Sequence, residues 1–256
     1  MIERDRLSSV ANAARVLKAF NSRNREYGVS ELARKLGMST STVHRLLSTL
    51  TSEHLIEQDP DSSKYRLGLA IYDLVAAVTA GFDLSHAVLQ PMAVLRNQAG
   101  GTVHVAVLDG REVVYVERLD SPHTLRLFLE VGRRNWAHCT CTGKVLLAHL
   151  SPAELNQILD GWELHLVSPK TITDHQDLRK VLGEVKDTGF AMNDGESETG
   201  VLSVGAPIRD HSQNVVAAMS VVGPADRMNE NLRATTFAVM EAAAAASRRL
   251  GYSKEG

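Results

Sequence analysis

One predicted helix near the N terminus carries a polar stripe whose residue types suit the recognition of DNA. Ser41, His44, Arg45 and Ser48 recur at intervals of three and four residues, which places their side chains on one helix face. The opposite face is apolar and carries Val43, Leu46, Leu47 and Leu50. The major groove of DNA admits one helix, and its base edges are bound by short hydroxyl side chains and by arginine. The stripe therefore predicts a DNA-reading helix, with a merely solvated helix face as the alternative.

A predicted hairpin follows this helix in the segment LIEQ-DPDSS-KYRLG, where two short extended runs flank five turn-forming residues. Lys64 and Arg66 alternate with Tyr65 and Leu67, so the basic pair is expected to face DNA phosphates and the apolar pair to pack inward. Helix and hairpin together supply the expected DNA-contacting residues: Ser39, Thr40, Ser41, Thr42, His44, Arg45, Lys64 and Arg66.

His138, Cys139 and Cys141 form a second cluster that could do chemistry. A structural zinc site normally has four ligands with cysteines two to four residues apart, and one flanking histidine beside C-x-C falls short of that pattern. Cys141 could instead be a nucleophile, because a helix start beside it would lower its pKa. No neighbouring base is evident. An enzyme or a zinc-binding protein using these three residues therefore remains the alternative function, and the preferred interpretation includes no catalytic residue, metal or cofactor.

Two further groups are weaker candidates for chemistry. Asp194, Glu196 and Glu198 lie in NDGESETG, where two glycines favour a solvated loop over a catalytic carboxylate pair. Gly143 and Lys144 lack the preceding glycines of a phosphate-binding loop.

Three short helices are expected to position the polar stripe. Apolar residues from position 9 to Phe20 follow helical spacing, Ser30 is expected to cap a second helix that stops at Gly37, and Ser39 is expected to cap the third. Two short helices joined by a glycine-containing turn are typical of a helix-turn-helix, and the following hairpin is typical of a wing.

The rest of the chain predicts a sheet domain with helices between runs of strands, which is the α+β class. Strands are expected over 102–108, 113–119, 125–129, 201–207 and 215–222. Helices are expected over 69–80, 84–98, 142–149, 152–159, 174–188 and 229–250. The helix over 69–80 is apolar on more than one side, so we expect it to link two domains and to form a dimer surface through Ile71, Leu74, Val75 and Val78.

Length and composition agree with a globular protein of one or two domains. The chain has 256 residues, of which 44% are hydrophobic and 23% charged, and it has no apolar run of the roughly 20 residues that span a bilayer. Residues 1–67 contain 11 basic and 8 acidic residues, whereas the remainder contains 17 and 22, so a modestly basic part precedes an acidic body. The polar start MIERDRL and the lack of a disulfide framework favour the cytoplasm.

Six segments together resemble the IclR family of transcriptional regulators over nearly the whole chain. They are ELARKLGMSTSTVHRLLSTL, KYRLG, HCTCTGKVLLAHLSP, GFAMNDGESETGVLSVGAPIRD, AAMSVVGPADR and ASRRLG. The resemblance implies a winged helix-turn-helix domain (1–68), a linker helix (69–80) and an effector-binding domain (81–256) with a GAF-like or profilin-like fold around a central antiparallel sheet. It also implies a homodimer or homotetramer that binds double-stranded operator DNA and responds to a small organic or aromatic acid or a related metabolite. We expect such a regulator to act as a repressor.

The resemblance also implies an effector site, carried over by position to Cys141, Thr142, Asn193, Ser203, Ser220 and Val222. Cys141 and Thr142 precede or begin a helix, whose exposed N–H groups favour a carboxylate. Asn193 stands where several members have Asp, and Val222 where a hydroxyl residue is expected. These two departures make the predicted pocket less polar, so an aromatic effector is favoured over a two-carbon keto acid.

Overall fold

A computed structural model describes residues 7–21, 24–79, 84–121 and 131–253. The chain divides into two compact units, residues 1–82 and 83–256, each with its own hydrophobic core. No helix in these ranges is both long and apolar enough to cross a membrane.

The first unit consists of three helices and a hairpin. Its helices are α1 (Ser8–Ala19), α2 (Val29–Leu36) and α3 (Thr40–Ser52). They bury one face each around a shared core that contains Val16, Leu32, Val43, Leu47 and Ile56. The predicted helix-turn-helix is therefore present, and the apolar spacing of the sequence places the polar stripe of α3 on the side away from this core.

The start of α2 differs from the prediction. Gly28, not Ser30, is the cap residue, and its backbone N–H donates to the Glu31 carboxylate at 2.9 Å. Ser30 lies inside the first turn, because the Glu31 side chain already satisfies the helix start. The predicted stop is correct, since Gly37 adopts the left-handed conformation at φ 65°.

The predicted wing is an antiparallel hairpin of β1 (Ile56–Gln58) and β2 (Tyr65–Leu67). It is followed by α4 (Ala70–Thr79). The inward orientation predicted for Leu67 is wrong: Tyr65 is buried, whereas Leu67 is 38% exposed. Leu67 is the last residue of β2 and lies at the open end of the hairpin, opposite Ile56.

The second unit is built on a six-stranded antiparallel sheet in the order β5-β4-β3-β8-β7-β6. The strands are β3 (Thr102–Asp109), β4 (Glu112–Leu119), β5 (Arg134–Trp136), β6 (Ala191–Asp194), β7 (Val201–Arg209) and β8 (Val215–Pro224). The α+β class with a winged helix-turn-helix and a central antiparallel sheet is thus confirmed.

Helices cover both faces of this sheet. They are α5 (Leu84–Ala99), α6 (Cys141–Ala148), α7 (Pro152–Leu159), α8 (His175–Thr188), α9 (Ala225–Glu230) and α10 (Leu232–Arg249). One core lies between the sheet and the pair α5 and α10, and the other contains residues of α6 and α8. The sheet is covered on both sides, so polar residues on the α6 side are buried in the domain interior.

Several boundaries differ from the expectations. The strands β5 and β6 were not predicted, because runs of three and four residues are too short to show a strand period in the sequence. The long helix expected over 229–250 is broken at Asn231, whose backbone (φ −127°, ψ 26°) leaves the helical region. The strand expected over 125–129 lies outside the described residues.

Candidate functional site

The first turn of α3 is organised by hydroxyl groups. Ser39 caps the helix as predicted, and its Oγ accepts a hydrogen bond from the Thr42 N–H at 3.2 Å. The same Oγ lies 3.0 Å from the Ser41 Oγ and 2.8 Å from the Thr42 Oγ1. The remaining predicted contact residues of this helix are exposed: Thr40, His44 and Arg45. The helix therefore presents an ordered, hydroxyl-rich start followed one turn later by an imidazole and a guanidinium group.

The wing presents two basic residues that differ in their surroundings. Arg66 lies opposite Glu57 in the hairpin register, and its Nε donates to the Glu57 Oε1 at 2.5 Å. This pairing raises the pKa of Arg66, and a DNA phosphate would have to compete with Glu57 for the guanidinium. Lys64 is exposed beside the tip. The tip is ordered by Asp59, whose Oδ1 accepts hydrogen bonds from the Asp61 and Ser62 N–H groups.

Four of the six predicted effector residues lie on one face of the central sheet. Asn193 pairs with Ser203, and Ser203 pairs with Val222, so these three form a row across β6, β7 and β8. Ser220 lies two residues from Val222 on β8 and therefore shares its face. All four are at least nine-tenths buried. The sheet register thus brings together residues that are distant in sequence.

The start of α6 supplies the other two residues, Cys141 and Thr142, and it lies close to the same sheet face. A Cβ atom on Gly205 would lie 3.3 Å from the Cys141 Sγ, so the strand and the helix start are in contact. Thr140 caps this helix, its Oγ1 accepting from the Gly143 N–H at 3.1 Å. The structure therefore brings the predicted effector residues together between α6 and the sheet.

The thiols at this helix start are not activated. Burial raises the pKa of Cys141, although hydrogen bonds from Ser203 and Ser220 to its sulfur act in the opposite direction. Burial raises the pKa of Cys139 to about 12. The expectation that the helix start would lower the pKa of Cys141 is wrong, because removal from water outweighs the helix dipole. Both cysteines are neutral thiols at pH 7.

Asn193 links the loop after β6 to the residues that precede α6. Its Nδ2 donates to the Cys139 carbonyl at 3.0 Å and to the Ser197 Oγ at 2.8 Å, while its Oδ1 accepts from the Glu196 N–H at 2.7 Å. The amide thus holds the loop after β6 against the residues before α6. Asn193 lies within β6, and the polar atoms of its side chain are already engaged within the protein.

Sequence reasoning missed a buried ion pair beside this site. Lys144, one turn into α6, pairs with Glu196 of the acidic run, and their side chains are only 3% and 13% exposed. The expectation of a solvated acidic loop is therefore wrong for Glu196. The available signal was a lysine within the otherwise apolar helix segment CTGKVLLA, where a buried charge requires a partner. His104 and Tyr115 also lie on the α6 side, with ring centroids 5.2 Å apart.

His138 has the environment of a core histidine. Its Nε2 lies 3.0 Å from the His165 carbonyl, its ring packs edge-on against Trp162, and burial lowers its pKa. Among the described residues, no group of three or more His, Cys, Asp or Glu side chains is placed to hold a metal ion.

A groove of about 1100 Å³ lies elsewhere on the second unit, between α5 and α10. Its lining includes Val94, Phe237, Arg227, Arg248 and Arg249. None of the predicted effector residues lines this groove, so it is separate from the site between α6 and the sheet.

Two family models match the chain. A model of the IclR helix-turn-helix domain matches residues 9–60, and a model of the C-terminal domain of bacterial IclR transcriptional regulators matches residues 76–249. The first match contains α2, α3 and all of α1 except its first residue, and the second contains the sheet and all residues of the candidate effector site.

Individual relatives match over nearly their full length. The chain is 33% identical to the transcriptional regulator XynR of Escherichia coli over 96% of this chain and 98% of that protein. It is 33% identical to the regulator KdgR of Escherichia coli over 97% and 94% of the two chains. A solved structure of an IclR homologue from Microbacterium hydrocarbonoxydans, complexed with 4-hydroxybenzoate, superposes with a TM-score of 0.85 at 28% identity and covers 95% of this chain and 99% of that chain.

Proposed function

The chain belongs to the IclR family of bacterial transcriptional regulators, and we propose that it is a repressor whose DNA affinity responds to a small organic acid. The family is one of DNA-binding regulators, not of enzymes, and none of the comparisons favours an enzyme or a zinc-binding protein. The observation that carries the proposal is the pairing of an exposed, hydroxyl-rich recognition helix in one unit with a buried polar sheet face in the other.

For DNA we propose that α3 enters the major groove with its first turn towards the bases. Thr40 and Ser41 lie at the exposed helix start, and Arg45 extends from the same face one turn later. Lys64 on the wing is expected to contact a phosphate, which positions the protein without reading sequence. Arg66 contributes less than the sequence suggested, because it already pairs with Glu57.

For the effector we propose an aromatic carboxylate held between α6 and the sheet. The first N–H groups of a helix have no partner within the helix. Here the Thr140 Oγ1 accepts from the Gly143 N–H, and the Thr142 N–H bonds to the Cys141 sulfur. A carboxylate placed there would meet N–H groups on one side and the hydroxyls of Ser203 and Ser220 on the other. Support for an aromatic body comes from the 4-hydroxybenzoate bound to the structural neighbour and from the apolar Val222 in this row.

The functional unit is proposed to be a dimer or a tetramer. A single helix-turn-helix covers one half-site, and tight specific binding by such domains generally uses two half-sites about one helical turn apart. Exposed apolar side chains on α4 support this proposal, since Leu74 and Val75 are about half exposed in the single chain. The side chain of Val78 lies outside the described residues.

The decisive experiment couples the two sites. Fluorescence anisotropy of a duplex from the promoter region of the protein's own gene should show binding that weakens steeply as salt rises. Addition of 4-hydroxybenzoate, or of another acid from a panel that includes benzoate and pyruvate, should lower the operator affinity about 5- to 150-fold, the usual range of coupling between sites. Thermodynamic linkage requires that operator DNA lower the affinity for the same acid by the same factor.

The outcomes separate the parts of the proposal. Operator binding without a response to any acid would leave a DNA-binding protein and remove the proposed effector class. Acid binding with no affinity for duplex DNA would remove the regulator proposal. Turnover of a panel acid in the absence of DNA would favour the enzyme alternative.

A further inference from the structure

The buried pair Lys144 and Glu196 joins two elements that are 52 residues apart in sequence. Lys144 lies on α6, three residues after Cys141 and therefore on the same helix face. Glu196 lies in the loop that follows β6. Both side chains are shielded from solvent, at 3% and 13% exposure, and the Lys144 Nζ donates to the Glu196 Oε1. A charge this deeply buried is tolerated only when it has a close partner, so each residue depends on the other.

Lys144 is the only hydrogen-bond partner of the Glu196 carboxylate among the described residues. The second carboxylate oxygen, Oε2, is buried and has no hydrogen-bond partner among the residues that the structure describes. Burial raises the pKa of Glu196, while the charge of Lys144 and its hydrogen bond act to lower it. Lys144 therefore offsets part of the cost of burying this carboxylate.

The loop that carries Glu196 is also the loop that orients Asn193. The Glu196 N–H donates to the Asn193 Oδ1 at 2.7 Å, and the Asn193 Nδ2 donates to the Cys139 carbonyl at 3.0 Å, two residues before α6 begins. The ion pair fixes the same loop to α6 one turn further along. The loop is thus attached at two places: by Asn193 to Cys139, before the start of α6, and by Glu196 to Lys144, after it. The proposed effector position lies between these two attachments.

Glycines bracket the segment that the ion pair holds. Gly195 and Gly200 adopt left-handed conformations at φ 78° and 80°, which other residues rarely adopt. On the far side, the Ser168 Oγ donates to the Gly195 carbonyl at 2.5 Å and the Thr171 Oγ1 donates to the Glu196 carbonyl at 2.7 Å. These bonds tie the loop backbone to residues 168–171, whereas only the ion pair ties the Glu196 side chain to α6.

We propose that Lys144 and Glu196 are positioning residues of the effector site. They hold Asn193 and the start of α6 at the separation that a ligand requires. Neither residue contacts the ligand itself. This inference rests on the proposed effector site. It adds two residues to the six that the family resemblance predicts for that site. The pair acts through the loop, so its loss should loosen residues 193–198 while the sheet beneath stays intact.

The test uses the full chain in which both charges are removed together. Lys144→Met/Glu196→Gln keeps the side-chain volumes and leaves no unpaired charge, so the fold should survive with a melting temperature close to that of the wild type. Hydrogen exchange without ligand should then be about tenfold faster at 193–198 and unchanged in β3 and β8. The affinity for 4-hydroxybenzoate, measured by calorimetry, should fall about tenfold. The single variant Glu196→Gln should unfold more readily, because it leaves Lys144 buried without a counter-charge.

A matched control lies at the end of β6, directly before this loop. Asp194 forms an exposed ion pair with Lys170 at 2.8 Å, with about half of each side chain or more in solvent. Asp194→Asn should change neither the exchange of 193–198 nor the affinity for 4-hydroxybenzoate by more than about twofold, because exposed pairs contribute little.

Two results would overturn the inference. One is wild-type exchange at 193–198 in the double variant, which would show that the pair does not hold the loop. The other is faster exchange spread uniformly over β3, β8 and the loop, which would show a general structural role. The exchange measurement needs no ligand, so it decides the inference independently of the effector proposal. Failure of the wild type to bind any acid would count against the effector proposal alone.

Discussion

Arg45 has the longest side chain on the exposed face of α3, one helical turn beyond Ser41. A guanidinium at this position can form two hydrogen bonds with a guanine edge, and such a contact typically contributes about 1–3 kcal/mol of discrimination. Arg45→Ala should therefore weaken operator binding by about that amount and relax the preference for operator over scrambled DNA. Fluorescence anisotropy at fixed salt with both duplexes measures the two effects.

Lys18 provides the control for a general loss of charge. It is exposed on α1, a different helix from the one that carries the polar stripe, and Lys18→Ala removes one positive charge from the same unit. This variant should weaken binding to both duplexes equally or not at all. Unchanged operator affinity in both Arg45→Ala and the Thr40→Ala/Ser41→Ala double variant would contradict the assignment of α3 as the reading helix.

Ser220 is the residue on which the proposed effector site depends most directly. Its hydroxyl lies on the sheet face below α6, next to the Cys141 sulfur. Ser220→Ala leaves a ligand oxygen without its hydrogen bond, which should cost about 1–3 kcal/mol in effector affinity by calorimetry.

Ser247→Ala is the control, since Ser247 is a buried serine of α10 that accepts a hydrogen bond from the Arg209 N–H. It should lower stability and leave effector affinity unchanged; equal affinity in wild type and Ser220→Ala would place the ligand elsewhere.

Single residues were predictable where their role depends on near neighbours in sequence. The Ser39 cap and the Gly37 stop follow from local backbone chemistry, and both are present. Lys144 and Glu196 were not predicted as a pair, because a contact across 52 residues leaves no periodic signal in one sequence. The pKa of Cys141 was predicted in the wrong direction for a related reason, since its burial depends on the β7 and β8 residues packed against it.

Elements were predictable in proportion to their length and regularity. The strands β3, β4, β7 and β8 and the helices α5 to α8 lie within a few residues of their expected bounds. The short strands β5 and β6 exist because neighbouring strands provide hydrogen-bond partners, and their own residues show little strand preference. The candidate effector site was predictable only through the family resemblance, because three of its residues meet through the register of β6, β7 and β8.

Gly143 sets how closely α6 can approach the turn that precedes it. A Cβ atom at this position would lie 2.2 Å from the Ala137 carbonyl oxygen and 2.4 Å from the Ala137 Cα, both of which are backbone atoms that cannot move aside easily. Gly143→Ala should therefore lower the free energy of unfolding by about 1–3 kcal/mol or more. Urea denaturation followed by circular dichroism measures this loss.

Gly183 in α8 is the matched control for this substitution. It also lies within a helix, but a Cβ atom there would have no neighbour within 4 Å. Gly183→Ala should raise the free energy of unfolding by about 0.5–1 kcal/mol, since alanine is the better helix former. Equal effects of the two substitutions would show that helix preference, and not the close approach to Ala137, determines the role of Gly143.

At the scale of the whole molecule, the chain combines a basic part with an acidic body, and both parts match one family. The class of protein could be predicted from the sequence, because six short segments occur in the family order. The operator and the effector could not, since each depends on a few side chains whose placement is set by tertiary contacts.

The proposed assembly of two chains concerns the whole molecule, and α4 is the element expected to mediate it. Tyr72, Leu74 and Val75 are at least half exposed, and a run of exposed apolar side chains on one helix is typical of a surface that another protein covers. Leu74→Lys/Val75→Lys would place two charges in that interface, so the protein should elute as a monomer in light scattering at micromolar concentration. Operator affinity should fall to that of a half-site. Leu166→Lys, at an exposed apolar residue of the second unit, should leave both properties unchanged. A wild-type protein that is already monomeric and binds a half-site with full affinity would refute the dimer.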